Sequence, residues 1–305
     1  MSQIYERVAL IGLGLIASSI AHAARRAGVA GEIVGYARSA ETRGIAREIE
    51  LCDRITETMQ DAVEGADLVI LCVPVGVMGD VAKEIAPHLA DGATVSDVGS
   101  TKRAVIAAVQ PHMPGHIHFI PAHPVAGTEQ SGPRSGFETL FDNRWCLLTP
   151  LPDTSDAKLE TFTQFWRALG SNVDFMDPDH HDLVLAVTSH APHLIAYTMV
   201  GVADDLSRVT DSEVVKYSAA GFRDFTRIAA SDPTMWRDVF LTNKDATLEI
   251  LGRFTEELFA LQRAIRTGDG EHLHDYFTRT RAIRRGVIEA GQDTDAPDFG
   301  RGGPN

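Results

Sequence analysis

Short apolar runs alternate with segments of helical periodicity through the first half of the chain. Strands are predicted at residues 8–11, 33–36, 68–73, 94–98, 117–120, 146–149 and 172–176, and helices, for example, at 77–89 and 159–169. Most of the strand-like runs are continuously apolar, which is typical of a mostly parallel sheet that is covered on both faces. The pattern predicts an α/β fold for this part of the chain.

Strand signals stop after Asp177-Pro178, and helical patterns fill the rest of the chain. The composition changes again near residue 292, where Gly, Pro and Asp become frequent. We therefore predict an α/β domain at residues 1–177, an all-α domain at 178–291 and a disordered tail at 292–305.

One of the late helices carries an apolar stripe. Its apolar residues recur at spacings of three and four: Leu251, Phe254, Leu258, Leu261 and Ile265. Such spacing places them on one face of a helix. The stripe fits core packing and a subunit interface equally well.

The first strand leads directly into a glycine turn and then a helix. Gly12 allows the tight turn, Gly14 lets the backbone approach a pyrophosphate, and Ala17 takes the third small position of the G-x-G-x-x-G/A pattern. The helix that follows, with Leu15 and Ile16 in its first turn, directs free N–H groups at a phosphate. The order predicts a Rossmann-like dinucleotide site, although a plain strand–turn–helix would look similar.

The end of the second predicted strand bears on the type of dinucleotide. An NAD site usually has an acidic residue there, but this chain has Arg38 and Ser39 after Ala37. Arginine forms bidentate bonds with phosphate, such as the 2′-phosphate of NADP. We expect NADP or NAD, with NADP slightly favoured, unless Arg38 is only a solvated charge.

Composition narrows the class of protein. The 305 residues are 44% hydrophobic and 23% charged, and the formal net charge of −14 argues against nucleic acid and anionic membrane surfaces as partners. We expect no membrane span and no secretory signal. Three widely spaced cysteines, Cys52, Cys72 and Cys146, fit buried thiols in a reducing cytoplasm.

Two polar clusters follow predicted strands, where ligands bind in open α/β sheets. Ser100 lies in the segment Asp97-Val98-Gly99-Ser100-Thr101-Lys102, and its hydroxyl is either a substrate partner or a helix cap. His123, between Ala122 and Pro124, is predicted at the carboxyl end of the strand 117–120. A histidine there is a candidate general base for a carbinol O–H during hydride transfer.

A third cluster opens a helix in the second half. Ser189 and His193 are four residues apart and His190 and His193 three apart, so these side chains lie close together. No further ligands stand at suitable spacing, so we expect no metal site and interpret the cluster as substrate-orienting. Arg227 could present its guanidinium to a carboxylate.

Five ordered motifs together resemble the prephenate/arogenate dehydrogenase family of tyrosine biosynthesis, over roughly residues 5–290. They are Gly12-Leu13-Gly14, Asp97-Val98-Gly99-Ser100, His123-Pro124-Val125-Ala126-Gly127-Thr128-Glu129, Ser189-His190-Ala191-Pro192-His193, and Phe225-Thr226-Arg227-Ile228-Ala229 with Asp232-Pro233 and Trp236. The resemblance implies oxidative decarboxylation of a cyclohexadienyl acid, with hydride transfer to NAD(P).

The resemblance also implies roles for single residues. His123 and Ser100 are the expected catalytic pair, and Arg227 the expected carboxylate ligand. The remaining expected substrate-site residues are Thr128, Glu129, Ser189, His190, His193 and Trp236. Trp236 is further expected near the site of a partner subunit, which implies a homodimer.

Two alternatives stay open from the sequence. The first is another reductase with a Rossmann domain and a helical domain, of the β-hydroxyacid dehydrogenase or imine reductase type. The second is a non-enzymatic NADP-sensing dimer, which would need the Gly12 turn but not Ser100, His123 and Arg227 together.

Overall fold

The computed structural model describes residues 3–207 and 219–289, so the tail predicted at 292–305 lies outside the described residues. The chain forms two compact units, Met1–Leu248 and Glu249–Asn305. All the site residues predicted from the sequence belong to the first unit.

A six-stranded parallel sheet organises the first half of the chain. Its order is β3-β2-β1-β4-β5-β6, with β1 Tyr5–Ile11, β2 Ala30–Tyr36, β3 Arg54–Ile55, β4 Leu68–Leu71, β5 Thr94–Asp97 and β6 His118–Phe119. The chain changes direction across the sheet between β1 and β4, and ligands bind at the carboxyl ends of strands at such a switch point. The predicted parallel α/β fold is confirmed.

Helices cover both faces of this sheet because successive residues of each strand point to opposite sides. They are α1 Leu15–Ala27, α2 Ala40–Glu48, α3 Met59–Val63, α4 Met78–Ile85, α5 Arg103–Val109 and α6 Asp156–Ala168. On β1, Val8 and Leu10 are buried in one core together with α1 and α6, whereas Ala9 and Ile11 are buried in the other with α4 and α5.

A second, three-stranded sheet was not expected from the sequence. Its strands are β7 Ala122–Pro124, β8 Trp145–Leu148 and β9 Asn172–Phe175; β7 pairs antiparallel with β8, and β8 pairs parallel with β9. Pro121 has no backbone N–H and separates β6 from β7. His123 therefore lies within β7, not at the end of the strand predicted at 117–120.

After Asp177, the described part of the chain is helical. Its elements are α7 Pro178–Leu185, a π-helical turn Ala186–His190, α8 Ala191–Ser207, α9 Ala220–Thr226, α10 Pro233–Thr242, α11 Lys244–Thr267 and α12 Gly270–Glu289. Asp177 caps α7 by accepting from the backbone N–H groups of Asp179 and His180. The all-α second part agrees with the prediction.

The predicted apolar stripe lies on α11. Phe254, Leu258 and Ile265 are 38%, 52% and 68% exposed. Core packing within one chain does not account for these side chains, so the exposure favours the interface interpretation.

The helical stretch Pro178–Leu206 differs from the expectation that no segment approaches a membrane span. By length and composition alone, this stretch of 29 residues is apolar enough to cross a membrane, since 18 consecutive residues in it have a mean hydropathy of 1.4. The same stretch buries His181, Asp182 and His190, all of which make polar contacts with the rest of the first unit. Those polar contacts fit a helix packed on protein better than one surrounded by lipid.

Candidate active site

The turn after β1 has the geometry of a phosphate-binding loop. Gly12 has a φ of +99°, and a Cβ there would lie 2.6 Å from the carbonyl oxygen of Cys72. A Cβ on Gly14 would meet nothing within 4 Å, so the surface above it is open. Gly14 is followed directly by α1, whose first N–H groups face the same opening.

Basic side chains surround the end of β2. Arg38 is exposed, and Ser39 caps α2 by accepting from the Thr42 N–H. Arg43, which sequence analysis missed, donates to the carbonyl oxygens of Ala37 and Arg38 at 2.7 and 2.9 Å. It also pairs with Glu57 at 2.9 Å. A fixed guanidinium thus lies beside the backbone at the end of this strand.

A buried ion pair joins the Ser100 segment to the strand that carries His123. Asp97 and Lys102 form this pair, and both side chains are fully buried. Lys102 Nζ also donates to the carbonyl oxygen of Ala122, and the Ala122 N–H donates to Asp97 at 3.3 Å. The segment that contains half-buried Ser100 is therefore bonded to the residue before His123.

His123 contacts a second imidazole. Its Nδ1 lies 2.9 Å from Nε2 of His181, and Nδ1 of His181 lies 2.9 Å from Oδ1 of Asp182. Asp182 also accepts the backbone N–H groups of Lys102 and Arg103 at 2.7 and 3.0 Å. A continuous polar chain thus runs from His123 through α7 to the start of α5.

Burial controls the charge of these groups. Burial, together with the nearby His181, Lys102 and His190, holds the pKa of His123 well below 6.5. The pKa of His181 is also lowered by burial, although Asp182 opposes this effect. Burial alone would raise the pKa of Asp182, but its hydrogen bonds outweigh that effect and lower it. Near neutral pH, the hydrogen-bonded series His123–His181–Asp182 therefore consists of two neutral imidazoles and one carboxylate.

His190 is completely buried at the end of the π-helical turn. Its Nδ1 lies 3.0 Å from Nδ2 of Asn243, which also donates to the backbone oxygen of Asp182 at 2.7 Å. Burial lowers the pKa of His190 to about 4. The ring has no exposed surface in this structure, which fits a supporting role better than the substrate contact expected from the sequence.

His193 and Trp236 form a stacked pair within the same chain. Their ring centroids are 3.7 Å apart and their planes differ by 24°. Nδ1 of His193 donates to the carbonyl oxygen of half-buried Ser189 at 2.8 Å, which leaves Nε2 as an acceptor while the ring is neutral. Burial is the main cause of a lowered pKa for His193, and Arg227 adds to the decrease.

Arg227 connects the helical residues to the segment after β7. It donates to Oε2 of Glu129 at 2.9 Å, across 98 positions of sequence. The Arg227 side chain is 46% exposed, and Thr128 beside Glu129 is exposed as well. Glu129 is six residues from His123. The hydrogen bond to Glu129 therefore links Arg227, the predicted carboxylate ligand, to the segment that follows the predicted base.

Among the predicted residues, the structure pairs Arg227 with Glu129 and joins His193 to Trp236 and Ser189, and it adds residues that sequence reasoning missed. The additions are Asp97, Lys102, His181, Asp182, Asn243 and Arg43. The sequence feature that could have indicated two of them is the adjacent pair His181-Asp182, which follows the cap of α7 closely. Within residues 3–207 and 219–289, no group of three or more His, Cys, Asp or Glu side chains is placed to hold a metal ion.

Comparison with known proteins gives the same family for both halves of the chain. Residues 20–175 match the nucleotide-binding domain of prephenate dehydrogenase, and residues 177–279 match the dimerization domain of that enzyme. The Gly12 turn lies before the first match, so its geometry is a separate observation.

Individual proteins agree with these matches. The chain is 40% identical to the cyclohexadienyl dehydrogenase of Zymomonas mobilis, over 92% of this chain and 96% of that protein. It is 32% identical to the prephenate dehydrogenase of Bacillus subtilis, over 94% of this chain and 77% of that protein.

A solved structure is similar over nearly the whole length. The prephenate dehydrogenase of A. aeolicus, crystallised with hydroxyphenyl propionate and NAD+, superposes with a TM-score of 0.86 at 32% identity. The similarity covers 94% of this chain and 99% of that one. Together with the open glycine turn and the buried imidazole chain, these matches show that the chain belongs to the prephenate dehydrogenase family.

Proposed function

We propose that this protein oxidatively decarboxylates a cyclohexadienyl acid, prephenate or arogenate, with NAD(P) as hydride acceptor. The observation that carries the proposal is His123, a buried neutral imidazole on a strand whose following loop pairs with Arg227. The reaction requires a base and a carboxylate ligand, and here Glu129 links Arg227 to the segment that follows His123.

The turn after β1 fits the pyrophosphate of a dinucleotide. Only a residue without Cβ fits at Gly12, and the open surface at Gly14 admits close approach to the backbone. A dinucleotide held by this turn would supply a hydride acceptor for the substrate ring.

His123 takes the proton of the ring hydroxyl, and Ser100 holds that hydroxyl. A neutral imidazole is needed for this step, and burial keeps His123 neutral. Loss of CO2 then makes the ring aromatic, which drives the reaction forward. The protein mainly orients the substrate and moves one proton.

Arg227 binds a carboxylate of the substrate through its exposed guanidinium. Ser189 and His193 line the same side, and Trp236 holds the His193 ring in place by stacking. We assign Thr128 and Glu129 to the wall beside His123, and His190 to support of Asn243, which in turn holds Asp182.

We further propose NADP as the preferred cofactor. No carboxylate stands at residues 37–39, directly after β2, where the exposed Arg38 lies and where Arg43 is held by the backbone and by Glu57. Changing Arg38 to Gln should raise KM for NADP about 10-fold, as for the loss of one charged hydrogen bond, and leave KM for NAD unchanged. An equal effect on both cofactors would contradict the preference.

The oligomeric state, the domain boundaries and the cellular location are also part of the proposal. We propose a homodimer that buries the exposed stripe of α11, with domain boundaries near residues 177 and 291. All three cysteines are free thiols, which supports a reducing cytoplasm as the location.

The test of the function is the formation of reduced nicotinamide in mixtures of protein with prephenate or arogenate and NAD or NADP. We expect steady turnover with at least one of the four pairs, and the comparison assigns substrate and cofactor preference. If all four pairs give no signal while the dinucleotide binds, the result contradicts the proposed function and favours the sensor alternative. Turnover of a β-hydroxyacid or an imine alone would support the other reductases.

A further inference from the structure

The buried chain His123–His181–Asp182 has a direction that follows from its last member. Asp182 accepts the backbone N–H groups of Lys102 and Arg103, and a carboxylate can only accept. Its contact with His181 therefore needs a proton on Nδ1 of that ring. Nε2 of His181 is then an unprotonated acceptor as long as the ring is neutral.

The state of His181 determines which nitrogen of His123 is protonated. The two rings meet through His181 Nε2 and His123 Nδ1, and one of these atoms must donate. Because Nε2 of neutral His181 has no proton, Nδ1 of His123 carries it. Nε2 of His123 then has a free lone pair, which is the form a general base requires.

We propose that His181 is a positioning residue that fixes the tautomer of His123, so that Nε2 of His123 is the basic atom. The proposal deepens the proposed function, because it rests on His123 as the base. A doubly protonated His181 would donate to Nδ1 of His123 instead. The proton of neutral His123 would then sit on Nε2, and the base would be blocked.

Burial, together with Lys102, keeps His181 neutral against the effect of its acidic neighbours. Five charged or titratable groups lie around the ring. They are Asp97, Lys102, His123, Asp182 and His190. Asp182 and Asp97 favour a proton on His181, whereas Lys102 and complete burial disfavour it, and the net effect lowers the pKa of His181.

The proton balance of the reaction explains why a fixed tautomer suffices. The hydroxyl proton moves to Nε2 of His123 as the ring C–H bond breaks and its hydride reduces NAD(P)+. The bond to the departing CO2 then gives its electron pair to the ring, and the resulting phenolate oxygen takes the proton back from Nε2. Nε2 of His123 both accepts the proton and donates it again, so no proton has to be transferred to His181.

Kinetics of three variants test the positioning role. His181→Leu removes the acceptor, and we expect kcat to fall about 10- to 100-fold with KM for the dinucleotide unchanged. His181→Gln offers an amide oxygen to the same N–H and should recover most of that loss. His180→Leu, at the exposed neighbouring histidine of α7, is the matched control and should match the wild type. Asp182 is unsuitable as a target because it also holds the start of α5.

A spectroscopic measurement tests the tautomer without turnover. In protein labelled with 15N-histidine, the signals of His123 are identified by their loss in His123→Asn. In the wild type and in His181→Gln, we expect His123 to have a protonated Nδ1 and an unprotonated Nε2. This measurement does not need His181→Leu, so it remains decisive if that variant fails to fold.

The results separate this proposal from the proposed function. A proton on Nε2 of neutral His123 in the wild type, or His181→Gln no better than His181→Leu, overturns the tautomer assignment even if His123 is essential. Normal turnover by His123→Asn overturns the role of His123, whatever the spectrum shows.

Discussion

At the scale of single residues, burial determines what each imidazole of the site can do. His123 is 7% exposed, and its pKa is held well below 6.5 because water cannot stabilise its charged form. His193 is only partly buried, and it keeps one nitrogen as an acceptor near Arg227. The mechanism proposed above therefore uses the same type of side chain as a base at His123 and as an orienting group at His193.

The lowered pKa of His123 predicts the pH dependence of activity. A base with a lowered pKa stays unprotonated to lower pH, so kcat/KM should stay level from pH 8 down to 6.5 and fall only well below that value. A pH–rate profile with saturating dinucleotide checks this. A loss of kcat/KM centred at or above pH 6.5 would contradict the neutral, buried base.

Arg227 predicts a defect in binding. Changing Arg227 to Gln removes a charged hydrogen bond to the substrate carboxylate, which should raise KM for the substrate about 10- to 100-fold. Cofactor affinity should not change. Arg223→Gln, on the exposed surface of α9, is the matched control. The same increase in KM in both variants would mean that general charge, not a specific contact, binds the substrate.

At the scale of elements, local patterns were enough to predict the glycine turn and most strands of the main sheet. Each of these features is encoded within about ten consecutive residues, as with β1 and the turn at Gly12. The contacts of the site are different. His123 contacts His181, which is 58 residues away in the sequence, and Arg227 contacts Glu129, which is 98 residues away. Hydrophobic periodicity within a local segment cannot predict contacts at such separations. Two strands of the second sheet were predicted, at 146–149 and 172–176, but were assigned to the main sheet. The strand β7 was missed because it has only three residues and Pro121 interrupts the run.

The glycine turn predicts two different outcomes for two similar changes. Gly12→Ala places a Cβ against the Cys72 carbonyl at a positive φ, which should cost about 1–3 kcal/mol of stability without any cofactor. Gly14→Ala has free space and should leave Tm unchanged but weaken dinucleotide binding. Thermal unfolding and a binding titration of both variants check this. Equal Tm losses in the two variants would contradict the geometry.

At the scale of the whole molecule, two properties follow from what the first unit buries and what the second exposes. Buried neutral histidines make stability depend on pH, and the exposed stripe of α11 leaves apolar surface that a second subunit can cover.

Acid should destabilise the protein before its carboxylates titrate. His123, His181 and His190 have lowered pKa values, so below about pH 6.5 the unfolded chain binds more protons than the folded one. Tm should fall as the pH drops from 6.5 towards 4, the value near which His190 titrates. The decrease should be smaller in His190→Asn than in the control His180→Asn. Equal decreases in Tm for the two variants would show that His190 does not contribute to the acid sensitivity.

The dimer interface that we propose on α11 predicts the effect of a charge there. Leu258→Glu should shift the protein towards monomers in sedimentation, because a carboxylate would have to be buried in an apolar interface. Phe175→Glu makes the same change at a 48% exposed position on β9 and should leave the assembly unchanged. A dimer that withstands the change at Leu258 would place the interface elsewhere.

The most direct measurement is the turnover of His123→Asn compared with the wild type, followed as reduced nicotinamide formed from prephenate or arogenate. If His123 is the base, kcat falls about 10²- to 10⁴-fold while the dissociation constant of the dinucleotide stays the same. His116→Asn, at a half-exposed histidine outside the site, should turn over normally. An active His123→Asn enzyme would contradict proton transfer through this imidazole, and with it the mechanism proposed for the site.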